Sequence, residues 1–368
     1  MPTLFDPLTI GPMHLQHRII MAPLTRLRAS TTHTQLPIAT TYYEQRACVP
    51  GTFIIGEAAQ ISASAGGIPH GPGIWSDAQV KAWKAITDAV HAKGSYIFCQ
   101  LIALGRAANP GTLQAEGGFE VRAPSALAMP TDSGPGTVPK ELSDREIEEV
   151  VASFADAGRN AIAAGFDGVE VHGANGYLVD QFLQDGTNQR ADRWGGSIPN
   201  RARFGVEVAR ALVEAIGAER VGFRVSPWNT WQGMGMSDPV PQFTYLVEQL
   251  KEMKLAYLHV VESRVVNNVD CEKTEGIEFL LRVWGRTSPV LVAGGYTPSN
   301  AEAAFEEYGD NEVGVVFGRH FLANPDLPFR IRHGVPLNQY HRESFYSPMQ
   351  EEGYADYPFS EEFLGVAN

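Results

Sequence analysis

Cysteine is scarce in this 368-residue chain, and its three residues, Cys48, Cys99 and Cys271, show no C-x-x-C spacing. An odd, scattered set of thiols excludes a disulfide framework and a thiolate zinc centre, so the three read as reduced, mostly buried side chains. Positive charge is short as well. Lys and Arg total 29 against 42 Asp and Glu, a formal net charge of -13, and a polyanion such as nucleic acid would meet net repulsion. No apolar run approaches the roughly 20 residues of a membrane-spanning helix, so neither nucleic acid nor membrane is an expected partner. The opening MPTLFDPLTIGP carries no positive leader and no apolar core segment. No secretory signal is read there, and the cytoplasm is the expected location. Apolar residues at 44% and charged residues at 19% are ordinary for a globular protein. The length suits one large α/β domain over 1–368, expected as a monomer or homodimer.

Eight short β-rich runs recur: RIIMAP (18–23), FIIGEA (53–58), YIFCQL (96–101), GVEVHG (168–173), VGFRVSP (221–227), YLHVVE (257–262), PVLVAGG (289–295) and VGVVFGR (313–319). Their near-continuous apolar character suits strands buried on both faces. Helical patterns lie between them. Residues 77–94 open acidic, carry an apolar stripe and stop at a glycine, and residues 143–165 open with Ser143 and Glu146 at capping-box spacing. Further helices are expected over 200–217, 241–254, 277–286, 298–309 and 325–334. Eight strands alternating with helices indicate a (β/α)8 TIM barrel. A doubly wound sheet comes second, because no strand is followed by the G-x-G-x-x-G of a Rossmann phosphate turn.

Three segments depart from even spacing. LTIGPMHLQHR, before the first strand, reads as a hairpin closing the barrel bottom. Its His14 and His17 lack a neighbouring carboxylate or Cys and are taken as surface residues. The Gly- and Pro-rich stretch 103–142, after the third strand, is too long for a plain connection and reads as an excursion over the barrel mouth. The run 180–199 makes another, with Arg190, Asp192 and Arg193 as candidate ion-pair anchors.

Barrel enzymes react at the C-terminal ends of their strands, and the fourth strand runs straight into His172, Asn175 and Tyr177. On one helical turn His172 and Asn175, three apart, would share a face and converge on one acceptor atom. Tyr177 would offer a proton from another direction. Two donors on one oxygen plus a separate acid suit addition of hydride and proton across a conjugated C=C. A capped helix start with a core tyrosine is the plainer reading of any one of them alone. Arg224 sits within an otherwise apolar fifth strand, and a guanidinium there needs an anionic partner. That partner is either a ligand or an internal carboxylate, Glu170 or Glu57. The last two strands end in Ala293, Gly294, Gly295 and in Phe317, Gly318, Arg319. Small residues, a following helix N-terminus and an arginine make a phosphate cradle there.

Other chemistries fit less well. A Schiff-base aldolase needs a strand-borne lysine, and all seven lysines fall outside the strands. A metal-assisted enzyme would recruit Glu57, Glu170, His172 and Glu262, but Arg224 among them opposes a cation. A binding protein without turnover, acting as a sensor or scaffold, is the reading from outside enzymology.

The run HGANGYLVDQFL, followed by NQRADRWGGSIPNRARF, resembles the signature of the Old Yellow Enzyme family of flavin-dependent ene-reductases at every fixed position. The likeness extends from IIMAPLTRLRA to RESFYSPMQEEGYADYPF and is closest to fungal members, the chanoclavine aldehyde reductases of ergot clusters among them. The resemblance implies FMN, with NADPH as reductant and a small activated alkene as substrate. It implies Pro23, Leu24 and Thr25 behind the flavin, Ala58 near it, Gln100 on its pyrimidine edge and Arg224 beside N1. Gly294, Gly295, Gly318 and Arg319 would take the phosphate. His172 and Asn175 would hold the substrate carbonyl, Tyr177 would protonate carbon, and Ile68, Ile102, Phe345 and Tyr346 would wall the substrate. Ile102 replaces a common Trp and Ile68 a frequent Tyr, so substrate range does not carry over. A Phe in place of Tyr177 is linked to isomerisation in the ergot branch, so Tyr177 favours reduction.

Overall fold

The computed structural model describes residues 2–131, 133–263, 265–266, 269–271 and 273–367. Eight parallel strands close into a ring: β1 Ile19–Met21, β2 Phe53–Ile55, β3 Tyr96–Ile102, β4 Gly168–Gly173, β5 Val221–Val225, β6 Tyr257–Val261, β7 Val290–Ala293 and β8 Val313–Phe317. Each pairs with the next, and β8 returns to β1 through Phe317 opposite Met21. The expected (β/α)8 barrel is thus the architecture found. All eight strands lie on runs read from the sequence, because a strand covered on both faces must be apolar almost throughout.

Helices cover the outside. Asp144–Ala163 starts on the expected capping box: Ser143 Oγ accepts the Glu146 N–H while the Glu146 carboxylate accepts the Ser143 N–H. Pro37–Arg46, between β1 and β2, went unread because its pattern is not amphipathic. It buries Tyr42, Tyr43 and even Arg46. The helix expected over 298–309 shrinks to Ala303–Glu307. No helix among the described residues is long and apolar enough to cross a membrane.

The barrel bottom is plugged as expected. The hairpin Leu8–Ile10 and Met13–Leu15 presses Leu8, Ile10, Met13 and Leu15 against Ile20, Phe53, Phe98, Tyr257 and Leu291. Phe53 and Phe98 meet edge-on at 5.1 Å, and Tyr257 lies within 5.9 Å of both rings. Gly222 makes room for this plug, since a Cβ there would stand 2.2 Å from the Tyr257 ring.

Two expectations at the bottom and among the thiols need correction. His17 is 2% exposed and pairs with Thr52 Oγ1 at 3.0 Å, because the chain leaving the hairpin turns directly into the barrel wall. Burial, helped by the charge of Arg332, pushes its imidazole down to about 4. His14 is exposed as expected. Of the thiols only Cys99 is buried, while Cys48 is half-buried and Cys271 exposed; all are free.

Both excursions are held by side chains. The stretch after β3 contains the helix Pro110–Gly117 and a ladder of Arg122–Ala123 with Lys140–Glu141. Buried Arg190 donates to the carbonyls of Pro124 and Leu142 and pairs with Asp192 at 2.5 Å. Arg193 reaches Asp144 and Glu148. The anticipated ion pairs thus hold the second loop internally and against the helix Asp144–Ala163, while the Arg190 carbonyl bonds tie it to the first.

Candidate active site

Parallel register stacks polar side chains in the upper half of the barrel. His172 lies opposite Arg224, and Arg224 opposite His259; one layer deeper, Glu170 lies opposite Gln100 and Gly222. Glu170 is fully buried and accepts from Gln100 Nε2 at 2.7 Å, Tyr257 Oη at 3.1 Å and His259 Nδ1 at 2.8 Å. Burial alone would push its carboxyl up. The His259 ring, Arg224 and Gln100 outweigh that and hold it below the usual range, so it is ionised. His259, by contrast, is driven down by burial and is neutral.

Arg224 forms no ion pair with Glu170 or Glu57, the two internal carboxylates considered for it. Among the described residues its buried Nε has no hydrogen-bond partner at all. Glu57 is satisfied by Gln35 at 2.9 Å and the Arg26 N–H at 3.2 Å. An orphaned guanidinium nitrogen facing a cleft is costly unless a ligand completes it.

The turn after β4 differs from the helical one expected. His172 is still in the strand, and Asn175 takes a left-handed φ of 57°, followed by Gly176 at 80°. A strand end and a tight turn, rather than helical spacing, decide where these side chains point. Asn tolerates this conformation where most residues do not. The Asn175 N–H donates to Ser226 Oγ at 2.8 Å, and the Gly176 N–H to buried Asp180 at 2.9 Å. Tyr177 caps the short helix Leu178–Leu183, and its ring meets that of His172 edge-on, centroids 4.8 Å apart. Burial first, then the charge of Arg224, holds His172 well below its ordinary value, so it is neutral, and its buried Nδ1 has no partner among the described residues. Burial pushes Tyr177 up to about 12, so its hydroxyl keeps its proton.

A cleft with an empty volume of about 1280 Å³ opens over this layer. It brings together Pro23, Leu24, Asn175, Arg224, Gly294, Gly295, Gly318, Arg319, Phe345 and Tyr346 from the sequence reading. Gly295 has a φ of 62°, a turn a side chain would strain. The helix after β7 starts only at Ala303, so no helix N-terminus stands directly behind Gly294 and Gly295, contrary to expectation. Phe345 and Tyr346 hang over the cleft on a C-terminal strap. Buried Arg26 and Arg28 grip it through the Phe345 carbonyl at 3.2 and 2.8 Å, and Arg46 takes the Tyr354 carbonyl at 3.0 Å.

The remaining predicted residues sit beside this cleft rather than in it. Ala58, Ile102, Ile68 and Tyr177 share one apolar cluster. Ile68 and Tyr177 line a second chamber with Met129 and Trp231, and Trp231 also lines the first cleft. Gln100 lies below, tied to Glu170, and Thr25 is half-buried at the end of the first strand's loop. Sequence reasoning missed Trp228 and Trp231, Tyr296 and Arg342. The two tryptophans follow β5 and were open to the same strand-end logic. Arg342 reaches the cleft only through the folded strap.

Arg224 with its buried Nε unpartnered among the described residues, glycine-ended strands with Arg319 beside them, and Phe345 and Tyr346 at the cleft's edge suit an anionic, phosphorylated aromatic cofactor. Fold and cleft thus define a flavin-dependent barrel oxidoreductase. The sequence matches the NADH:flavin oxidoreductase / NADH oxidase family over residues 3–338, and the chain belongs to that family, the Old Yellow Enzymes, whose cofactor is FMN. A chanoclavine-I aldehyde reductase of Penicillium roqueforti is 55% identical over 99% of this chain and 98% of its own length. An NADP-dependent oxidoreductase of Aspergillus flavus is 53% identical over 100% and 98%. The Old Yellow Enzyme homologue of Zymomonas mobilis superposes with a TM-score of 0.90 at 38% identity, covering 97% of this chain and 99% of that one.

Proposed function

We propose that this enzyme is an NADPH-dependent ene-reductase that adds hydrogen across the C=C of α,β-unsaturated aldehydes, ketones and related activated alkenes. The observation that carries the reading is the contact of neutral His172 with protonated Tyr177, 4.8 Å between rings, with Tyr177 lining the second chamber that shares Trp231 with the cofactor cleft. FMN, when bound, supplies the hydride it takes from NADPH. Arg224, Gln100, through the amide positions that Glu170 does not use, and Thr25 would hold its ring. Pro23, Leu24 and Ala58 would pack near the ring, and Gly294, Gly295, Gly318 and Arg319 would hold the phosphate. His172 and Asn175 donate to the substrate carbonyl and stabilise the charge that grows there, while Tyr177 gives its proton to Cα. Ile68, Ile102, Phe345 and Tyr346 wall the alkene. The Penicillium roqueforti relative is named an aldehyde reductase and the Aspergillus flavus relative NADP-dependent, so an enal with NADPH is the first pair to try.

Tyr177→Phe tests this directly. It keeps FMN and its reduction by NADPH, while reoxidation of the flavin by an enone slows roughly 10²-fold, the scale on which a positioned acid acts. Stopped-flow traces with unchanged reoxidation would remove Tyr177 from the mechanism.

A further inference from the structure

We propose that Glu170, buried beneath the cleft, is a positioning residue that sets the reduction potential of the bound flavin by offsetting the charge of Arg224. The inference rests on the flavin reading above and adds a residue that touches neither cofactor nor substrate in it.

Strands β3 to β6 carry two charged side chains inside the barrel, Arg224 and Glu170, together with the two histidines His172 and His259. The two charges are not in contact. Arg224 lines the cleft, while Glu170 lies two residues deeper on the neighbouring strand and spends its oxygens on Gln100, Tyr257 and His259. Three donors converging on one carboxylate are the arrangement that keeps it ionised. The Nδ1–H tautomer of His259 also leaves only a lone pair, rather than an N–H, unsatisfied at its buried Nε2. The carboxylate is therefore a fixed negative charge in a dry interior, where charges act over long distances.

NADPH gives up a hydride, two electrons with one proton, and leaves as NADP⁺; the neutral oxidised ring becomes the reduced anion. Arg224 favours that anion and Glu170 opposes it. When the hydride passes to the alkene Cβ and the Tyr177 proton to Cα, the ring would return to neutral and Tyr177 would regain its proton from solvent. Glu170 thus keeps the reduced ring from being held too firmly by Arg224 and preserves its strength as a hydride donor.

The test is a potentiometric titration of the FMN-loaded protein, wild type against Glu170→Gln and the charge-conserving Glu170→Asp. E170Q is expected to raise the potential so that the ratio of reduced to oxidised flavin at a fixed poise increases about tenfold, which is 29.6 mV for a two-electron couple. In E170Q reduction by NADPH does not slow while reoxidation by an enone does, a split that a purely structural defect would not produce. E170D stays near wild type. An unchanged or lowered potential in E170Q, or an equal shift in E170D, overturns the proposal. If E170Q does not fold, reduced-minus-oxidised infrared difference spectra of the wild type decide. A perturbed carboxylate stretch supports the fixed charge, and a protonated-carboxyl band contradicts it. A wild type that takes up no FMN would instead sink the flavin reading.

Discussion

The two ends of the barrel interior are built from the same strands and follow opposite rules. At the bottom, Phe53 meets Phe98 and Tyr257 edge-on under an apolar hairpin, and Gly222 leaves the room the Tyr257 ring fills. At the top, Arg224 Nε and His172 Nδ1 are buried without partners among the described residues. Both ends sit in one ring of hydrogen-bonded strands, so the difference lies in the side chains alone. The bottom is closed by apolar packing, whereas the top turns polar side chains toward an open cleft.

Substitutions at each end should therefore have different signatures. Phe53→Ala opens the plug and should cost about 3–5 kcal/mol of stability, the range for a large buried aromatic. Chemical denaturation measures it, and FMN bound per folded molecule should not change. Arg224→Leu does the reverse. It should leave the flavin-free protein at least as stable, because an unpaired buried charge is removed, yet weaken FMN binding by roughly 10²-fold or more, as losing one partner of a buried ion pair does. Paired melting and FMN titration check both halves.

The smallest effect lies in the turn between the two regimes. Burial pushes Asp180 up to about 7, so the folded chain keeps a proton that the unfolded chain releases in the ordinary carboxylate range. Stability should then fall as pH rises from about 4 to about 7, by at most about 1.4 kcal/mol per pH unit, and level off above. Asp180→Asn should flatten that slope in denaturation midpoints taken across the window.

The bottom and the walls were legible in the sequence because apolar runs and the Ser143 cap are local signals. Much of the top was legible too, since Pro23, Arg224, Gly294 and Arg319 each follow or end a readable strand. What failed was local geometry that only the fold decides. The three-residue spacing of His172 and Asn175 looked helical but spans a strand end and a left-handed turn. His17 read as a surface residue, yet tertiary packing buries it. The Pro37–Arg46 helix was hidden for the same reason, its inner face being two tyrosines and an arginine.

The central claim is that the top of the barrel is completed by FMN, its ring beside Arg224 and its phosphate between Gly294, Gly295, Gly318 and Arg319. Titrating flavin-stripped protein with FMN and with riboflavin, followed by the visible flavin spectrum, tests it most directly. A perturbed, saturable spectrum with FMN and much weaker uptake of riboflavin is the expected result. Folded protein that leaves the FMN spectrum unchanged would contradict it.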